Sequence, residues 1–157
     1  MSFLLDSIDL KILSHLQTNS CLPNNELAKL VGMAPSAVLE RVKKLEQKGV
    51  IQNYPTRINP DALDLKLLAF IYIKTNQGLN NTNVDKELAK LPEVLELHHI
   101  AGEDCYIAKV RVKDPQSLAE LIRRKFSKIK GIHSTKTTVV LESVKEENYL
   151  PILKDEQ

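Results

Sequence analysis

The chain is 157 residues long, with 43% apolar and 27% charged side chains, which suits one ordinary domain or two small ones and excludes a disordered coil. Its longest apolar run, Leu67 to Ile73, is far below the roughly 20 residues of a membrane span, and no basic segment followed by a long apolar one opens it. Neither a membrane anchor nor an export signal is expected. Two separated cysteines, Cys21 and Cys105, point away from a disulfide framework or metal site, and the expected compartment is a reducing cytoplasm without a cofactor. The net charge of +2 is unevenly spread: residues 1–60 hold seven basic and five acidic side chains, residues 61–157 fifteen of each. An anionic partner for the N-terminal third is the expectation.

Residues 1–60 read as helices. Asp6 or Ser7 can cap a first helix with Ile8, Ile12, Leu13 and Leu16 on one face, the 3.6-residue period of an amphipathic helix. Asn24 is the expected cap of a second helix burying Leu27, Leu30 and Val31, with Gly32 just past its end. A third spans about 35–48, with Pro35 at its first position and Val38, Val42 and Leu45 facing inward. Gly49 stops it, and Val50 to Arg57 reads as a small strand or wing.

From residue 66 the period changes to two. Residues 66–75 are apolar on both faces: Leu67, Ala69, Ile71 and Ile73 on one, Leu68, Phe70 and Tyr72 on the other. A helix near 81–91 follows, then strands over 94–101 and 105–113 joined by Gly102-Glu103-Asp104. A helix opening at Asp114-Pro115 and a last strand over 132–143 complete a β-α-β-β-α-β order. The fold class is therefore α+β: a winged helix-turn-helix over 1–60 (the two motif helices at about 24–48), a linker over 61–65, a ferredoxin-like unit over 66–145, and a tail over 146–157.

Two short helices joined by a tight glycine-containing turn describe a helix-turn-helix, whose second helix can lie in a DNA major groove. With Val38, Val42 and Leu45 inward, the opposite side of the third helix carries Ser36, Glu40, Lys43, Lys44 and Gln47, flanked by Ala37 and Arg41. Pro35 opens the helix, and Ser36, Ala37 and Glu40 near its start are candidate base readers; Glu40 can accept from a cytosine amino group. Arg41, Lys43 and Lys44 suit phosphates, and the N–H groups near Asn25 suit another. The same mixture of charges also suits a plain solvated face, so the pattern alone leaves both readings open.

Longer stretches narrow the choice. Leu5-Asp6-Ser7-Ile8-Asp9-Leu10-Lys11-Ile12-Leu13, Asn25-Glu26-Leu27-Ala28 with Val31-Gly32-Met33, and Val38 through Glu46 with Gly49-Val50-Ile51 resemble the Lrp/AsnC family of amino-acid-responsive transcription regulators. Ile58-Asn59-Pro60, Gly102 through Tyr106 and Thr135 through Leu141 extend the resemblance over nearly the whole chain. It implies a winged helix-turn-helix joined to a ferredoxin-like regulatory domain. Departures are Ala34 where the family usually has a Ser cap, Asp64 where Gly is common, and Lys136 where Arg is common.

A four-stranded sheet with both helices on one face leaves its other face open and apolar, with Ile107 or Val110 contributed by the third strand. Such a face implies a partner surface, most simply a second copy, or else a cover supplied by the linker or the C-terminal tail; the expected assembly is a homodimer, extending to a tetramer or octamer. An amino-acid effector needs anion donors for its carboxylate and an acceptor for its ammonium. Gly102-Glu103-Asp104 offers backbone N–H groups and two carboxylates, with either Glu103 or Asp104 as acceptor and the hydroxyls of Thr135 and Thr137 beside them. The family's effector pocket lies around this turn and the last strand, which the resemblance carries onto these positions, although many relatives place the Asp one residue later. The adjacent His98 and His99 point to opposite faces of a strand, against a shared metal ion.

Three functions compete: a DNA-binding regulator responding to a small effector, a tetrapyrrole (sirohaem-type) decarboxylase using His98, His99 and Arg111, and an effector-free architectural DNA protein. The basic third helix favours the first, a non-enzymatic regulator with double-stranded DNA as partner and no membrane role.

Overall fold

The computed structural model of the chain describes residues 4–76, 83–102 and 105–152. It divides into two compact units, one of residues up to Thr56 together with those from Lys145, the other Arg57–Val144. In the first unit, Asp6 caps helix α1 (Ser7–Thr18) through a capping box: its Oδ1 accepts from the Asp9 N–H at 2.8 Å, and Asp9 Oδ2 accepts from the Asp6 N–H at 3.4 Å. Helix α2 (Asn24–Val31) and helix α3 (Pro35–Gln47) follow. Ile12, Leu16, Leu27, Ala28, Val38, Val42 and Leu45 form the shared core. Gly32 takes the left-handed conformation (φ 71°) that lets the chain leave α2 and re-enter a helix within three residues.

Three local expectations fail in this unit. Leu30, expected on the buried side of α2, is 55% exposed, and Ala28 is buried beside Leu27 instead. Asn24 is the first helical residue rather than the cap; Pro23 holds the cap position and offers no side-chain bond. Val50 to Arg57 forms no strand among the described residues, because an isolated extended segment has no ladder partner here. It is held instead by the N–H groups of Val50 and Ile51, which both donate to the Leu45 carbonyl, and by Tyr54, whose hydroxyl donates to Glu46 Oε1 at 2.8 Å. The C-terminal stretch belongs to this unit too. The Gln17 side-chain amide exchanges two bonds with the Leu150 backbone, donating at 2.9 Å and accepting at 3.1 Å.

The second unit opens on a 3₁₀ turn (Pro60–Leu63) ended by Asp64 at φ 56°. That backbone explains why glycine suits this position; an Asp tolerates it, and here the carboxylate also holds Lys113 at 2.9 Å and Lys66 at 3.2 Å. Strands β1 (Leu67–Thr75), β2 (Val94–His99), β3 (Tyr106–Val112) and β4 (Ile132–Val139) form one antiparallel sheet in the order β2-β3-β1-β4. Helix α4 (Val84–Ala89) and helix α5 (Pro115–Glu120) connect them. A π turn over Leu121–Lys125 and a 3₁₀ turn over Phe126–Lys128 prolong α5.

Ala69, Ile71, Ile73, Tyr106, Ala108, Val110 and Val112 form the helix-covered face, packed on Val84, Leu88, Leu118, Leu121 and Phe126. The β1–β3 register puts Leu68 opposite Arg111, Phe70 opposite Lys109 and Tyr72 opposite Ile107 on the other face. Ile107, not Val110, is therefore the apolar group that the third strand turns away from the helices.

Candidate nucleic-acid interface

Helix α3 is amphipathic in the strict sense. Val38 is fully buried, Val42 and Leu45 nearly so, while Ser36, Glu40, Lys43, Lys44 and Gln47 are exposed on the other side. Pro35 fills the first helical position without loss, since its missing N–H would have no partner there. Ala34 supplies no side-chain cap, so the N–H of Ser36 has no capping oxygen from that side chain. The N–H groups of Ala37 and Val38 both donate to the Ala34 carbonyl, which leaves that of Ser36 to suit an anion.

Asn25, Lys29, Gly32 and Pro35 line one open cleft between α2 and the start of α3. Lys29 escaped the sequence reading. It stands one turn after Asn25 on the same helix side, and among the described residues no carboxylate lies within ion-pair distance of it. Ala37, Glu40, Arg41 and Lys44 line a second groove on the α1 side of α3.

The charged residues of α3 divide in two. Lys43 is exposed and without an ion-pair partner among the described residues. Lys44 holds Glu40 at 2.8 Å one turn back, and that hydrogen bond keeps the Glu40 carboxyl below its ordinary range. Both groups are well exposed, so the pair exchanges readily for other partners. Arg41 differs. Its Nη1 lies 2.7 Å from Asp6 Oδ2 and 2.8 Å from Asp9 Oδ1, joining α3 to the capping box of α1. The Asp9 backbone N–H and then Arg41 hold the Asp6 carboxyl below its usual value, and the two aspartates push the Arg41 guanidinium up. The structure thus presents Ser36, Ala37, Glu40, Lys43 and Lys44 on one accessible side, with the partly exposed Arg41 at its α1 edge, held by Asp6 and Asp9.

In the second unit, the Ile100 N–H donates to the Cys105 carbonyl at 3.0 Å and closes the hairpin whose tip carries Gly102 at φ 140°. Glu103 and Asp104 lie outside the described residues. Thr135 and Thr137 pair with Ile73 and Ile71, so their half-buried side chains share the helix-side face of the edge strand. The Cys105 N–H donates to the Ile73 carbonyl at 2.9 Å, which brings the hairpin base to the sheet row occupied by Thr135. The Thr75 hydroxyl donates to Cys105 Sγ at 3.2 Å beside it, a buried polar residue that the sequence pattern did not single out.

His98 lies on the open face, with its Nε2 3.5 Å from Glu96 Oε2, and the His99 ring stacks against Tyr106 on the other face, centroids 5.1 Å apart. The Arg111 side chain, on the open face, donates to the Leu65 carbonyl. No group of three His, Cys, Asp or Glu side chains fit to hold a metal ion occurs among the described residues, and no helix among them is long and apolar enough to cross a membrane.

A helix with one exposed polar side, and a sheet whose described helices all pack on the same face, suit a two-part DNA-binding regulator. Known proteins agree. Residues 5–52 match the model for winged helix-turn-helix DNA-binding domains, and residues 68–150 match that of the Lrp/AsnC ligand binding domain. The leucine-responsive regulatory proteins of Klebsiella pneumoniae and Escherichia coli K12 are each 39% identical over 150 residues, 94% of this chain and 92% of theirs. Escherichia coli AsnC superposes with a TM-score of 0.87 at 28% identity, covering 94% of this chain and 99% of that one. A feast or famine regulatory protein of Mycobacterium tuberculosis, solved with L-methionine, superposes at 0.86 with 31% identity over 94% and 99%. The chain belongs to the Lrp/AsnC family and is a DNA-binding transcription regulator.

Proposed function

We propose that this regulator works as a homodimer, or a higher assembly of dimers, whose DNA affinity or spacing of reading helices responds to an amino acid. The observation that carries the reading is the division of α3 into a buried apolar side and a bare polar one, on a unit whose core holds that orientation. Ser36, Ala37 and Glu40 read base edges; Lys43 and Lys44 hold phosphates; Asn25, with Lys29 beside it, takes a phosphate at the α2 end, and Pro35 sets the start of the reading helix. Arg41 orients α3 through Asp6 and Asp9 and offers its exposed part to a phosphate at the α1 edge.

The open sheet face supplies the second half. Phe70, Tyr72 and Ile107 lie together at its centre, between Glu96 and Lys109 at one side and Lys136 at the other. A second copy packed there would cover the apolar rows and place two reading heads at a fixed separation. The effector binds at Gly102, Glu103, Asp104, Thr135 and Thr137, with a carboxylate taking the ammonium and backbone N–H groups taking the carboxylate. The Neisseria meningitidis transcriptional regulator solved with L-methionine, 29% identical with a TM-score of 0.87 over 94% of this chain and 97% of that one, supports an amino acid as the ligand class. An effector changes transcription only by its different affinity for two states of the assembly.

The protein acts in the cytoplasm and is not an enzyme. The decarboxylase reading needs His98, His99 and Arg111 at one substrate, whereas His99 lies on the opposite sheet face from the other two. Selection of bound fragments from genomic DNA, followed by sedimentation with each amino acid in turn, tests the proposal. A recovered shared sequence and an amino-acid-dependent change of assembly are expected. Uniform affinity across unrelated sequences would leave the architectural role.

A further inference from the structure

The sheet unit is inserted into the helical one. The backbone leaves the helical unit after Thr56 and returns to it at Lys145, so the two units are joined at two places. The return is direct. Just past β4 the Val140 N–H donates to the Leu68 carbonyl at 2.9 Å, and residues 141–144 alone separate that bond from the helical unit. Leu141 and Val144 are 99% and 93% exposed, so this crossing is not packed into a core.

An extended stretch without a core contact is held only where something ties it down. The tie is Gln17 of α1. Its amide donates to the Leu150 carbonyl at 2.9 Å and accepts from the Leu150 N–H at 3.1 Å, the exchange of two bonds that a neighbouring strand would make. An amide suits this task because it carries a donor and an acceptor in one plane; a carboxylate has no donor and a guanidinium no acceptor. The Leu150 side chain is largely exposed, so the backbone and not an apolar anchor makes the fastening. Two exposed hydrogen bonds exchange readily with water, which makes the tie breakable. The helix it grips also carries Asp6 and Asp9, which hold Arg41 of the reading helix.

We propose that residues 145–152 are a strap, a second and releasable tether fastened by Gln17, which narrows the range of positions the reading head takes on its sheet unit. With the tie made, both ends of the sheet unit are held to the head. With it broken, the head hangs from the connection at Thr56 alone, and its freedom grows. Strand β4, which carries the proposed effector residues Thr135 and Thr137, runs straight into the strap, so a change at the end of β4 reaches α1 through Gln17. The consequence for DNA rests on the proposed pair of linked heads; the strap itself does not.

The test uses the full chain and three variants, Gln17→Leu, Gln17→Glu and Leu150→Pro, the last deleting the N–H from the tail side and leaving α1 untouched. Amide exchange comes first. The Leu150 N–H of the wild type should be slowed about tenfold or more against an open chain, Gln17→Leu should abolish this, and Gln17→Glu, which keeps the acceptor, should retain part of it. Backbone NMR relaxation comes second: α1–α3 should tumble more independently of β1–β4 in Gln17→Leu and Leu150→Pro than in the wild type. Affinity comes third, on duplexes carrying one copy of the sequence selected by the wild type, or two copies with centres about 10 or about 15 base pairs apart. One copy should bind alike in all the proteins. The wild-type preference between the two spacings should fall by about threefold or more in Gln17→Leu and Leu150→Pro. A Leu150 amide that exchanges freely in the wild type, or heads that tumble alike with and without the tie, overturns the strap. A fall in one-copy affinity as large as the fall in spacing preference makes Gln17 a structural residue of the head and overturns it too. A wild type indifferent to spacing removes the reading of two linked heads instead, and exchange with relaxation then decides the strap.

Discussion

Helix α3 and the sheet each pack one side on a core; the other side of α3 is exposed, that of the sheet half-buried, and the two differ in chemistry. That of α3 is polar, with exposed Ser36, Glu40, Lys43 and Lys44 around no large apolar group except the partly exposed Leu39. That of the sheet has Phe70, Tyr72 and Ile107 at its centre and charge at its margins. Water solvates the first without penalty, so its partner must win by charge and hydrogen bonds. Water solvates the second poorly, so its partner wins by burying it. The same building rule, a layer covered once, therefore prepares two surfaces for two chemically different partners.

The sharpest way to break this contrast is to make the sheet face resemble the helix face. Tyr72→Asp with Ile107→Asp puts two carboxylates opposite each other where the register pairs these residues. Neither side chain belongs to the helix-covered core, so the unit keeps its fold by circular dichroism. Sedimentation should then give single subunits, and DNA affinity should fall by a factor of about 10² to 10⁴ as two linked reading heads become one. A dimer that survives both substitutions shows that another surface holds the copies together.

The helix face responds more gently. Lys43→Ala should lower affinity for every sequence alike and reduce the salt slope by about one, whereas Glu40→Ala should change preference among sites. Lys44→Ala should act like Lys43→Ala on DNA, because its bond to Glu40 is exposed and easily exchanged. Unchanged salt dependence in both lysine variants would leave α3 a plain solvated helix.

A smaller effect separates Arg41 from these lysines. Asp6→Ala removes both the α1 cap and one arm of the Arg41 link, for a loss of roughly 1 kcal/mol. The sign of the pH dependence follows from the lowered folded-state pKa of Asp6. Its contribution is complete above the ordinary aspartate range near pH 4 and disappears as pH falls through the lower folded value. Thermal unfolding from pH 6 downward should therefore decline more steeply in the wild type than in the variant. Parallel curves would show that the pair contributes nothing measurable.

Periodicity explains how much of this was legible beforehand. The 3.6-residue stripe of Val38, Val42 and Leu45 and the two-residue alternation from Leu67 to Ile73 are local, and each forces one face inward. The β-α-β-β-α-β order then yields the sheet topology. What escaped depends on partners far apart in sequence. That Arg41, read as a phosphate contact, also holds Asp6 and Asp9 was hidden because both lie more than thirty residues away. Gln17 gave no hint that it would hold the Leu150 backbone. The 50–57 segment has strand composition but no partner strand among the described residues, which composition cannot reveal. Of the effector candidates, Thr135 stands on the row reached by the hairpin base, a relation set by strand register and invisible in spacing.

Tyr54 offers the finest test, because it ties that unpaired segment to the end of the reading helix. Burial first, and then the hydrogen bond to Glu46, push its phenol up to about 12. A raised folded-state value means that the neutral phenol is the stabilising form. The contribution is full below the ordinary tyrosine value near 10 and is lost as pH rises through about 12. Tyr54→Phe keeps the ring and deletes the donor, so stability near neutral pH should fall by only about 0.5 kcal/mol, the low end for a hydrogen bond, since the residue is 43% exposed. Burial also raises Tyr106, so ultraviolet titration of the variant should lose one late-ionising tyrosine and keep that of Tyr106. If the late-ionising part of the titration is the same in both proteins, the segment after α3 is not fastened to Glu46, and the reading helix is braced at its α1 side alone.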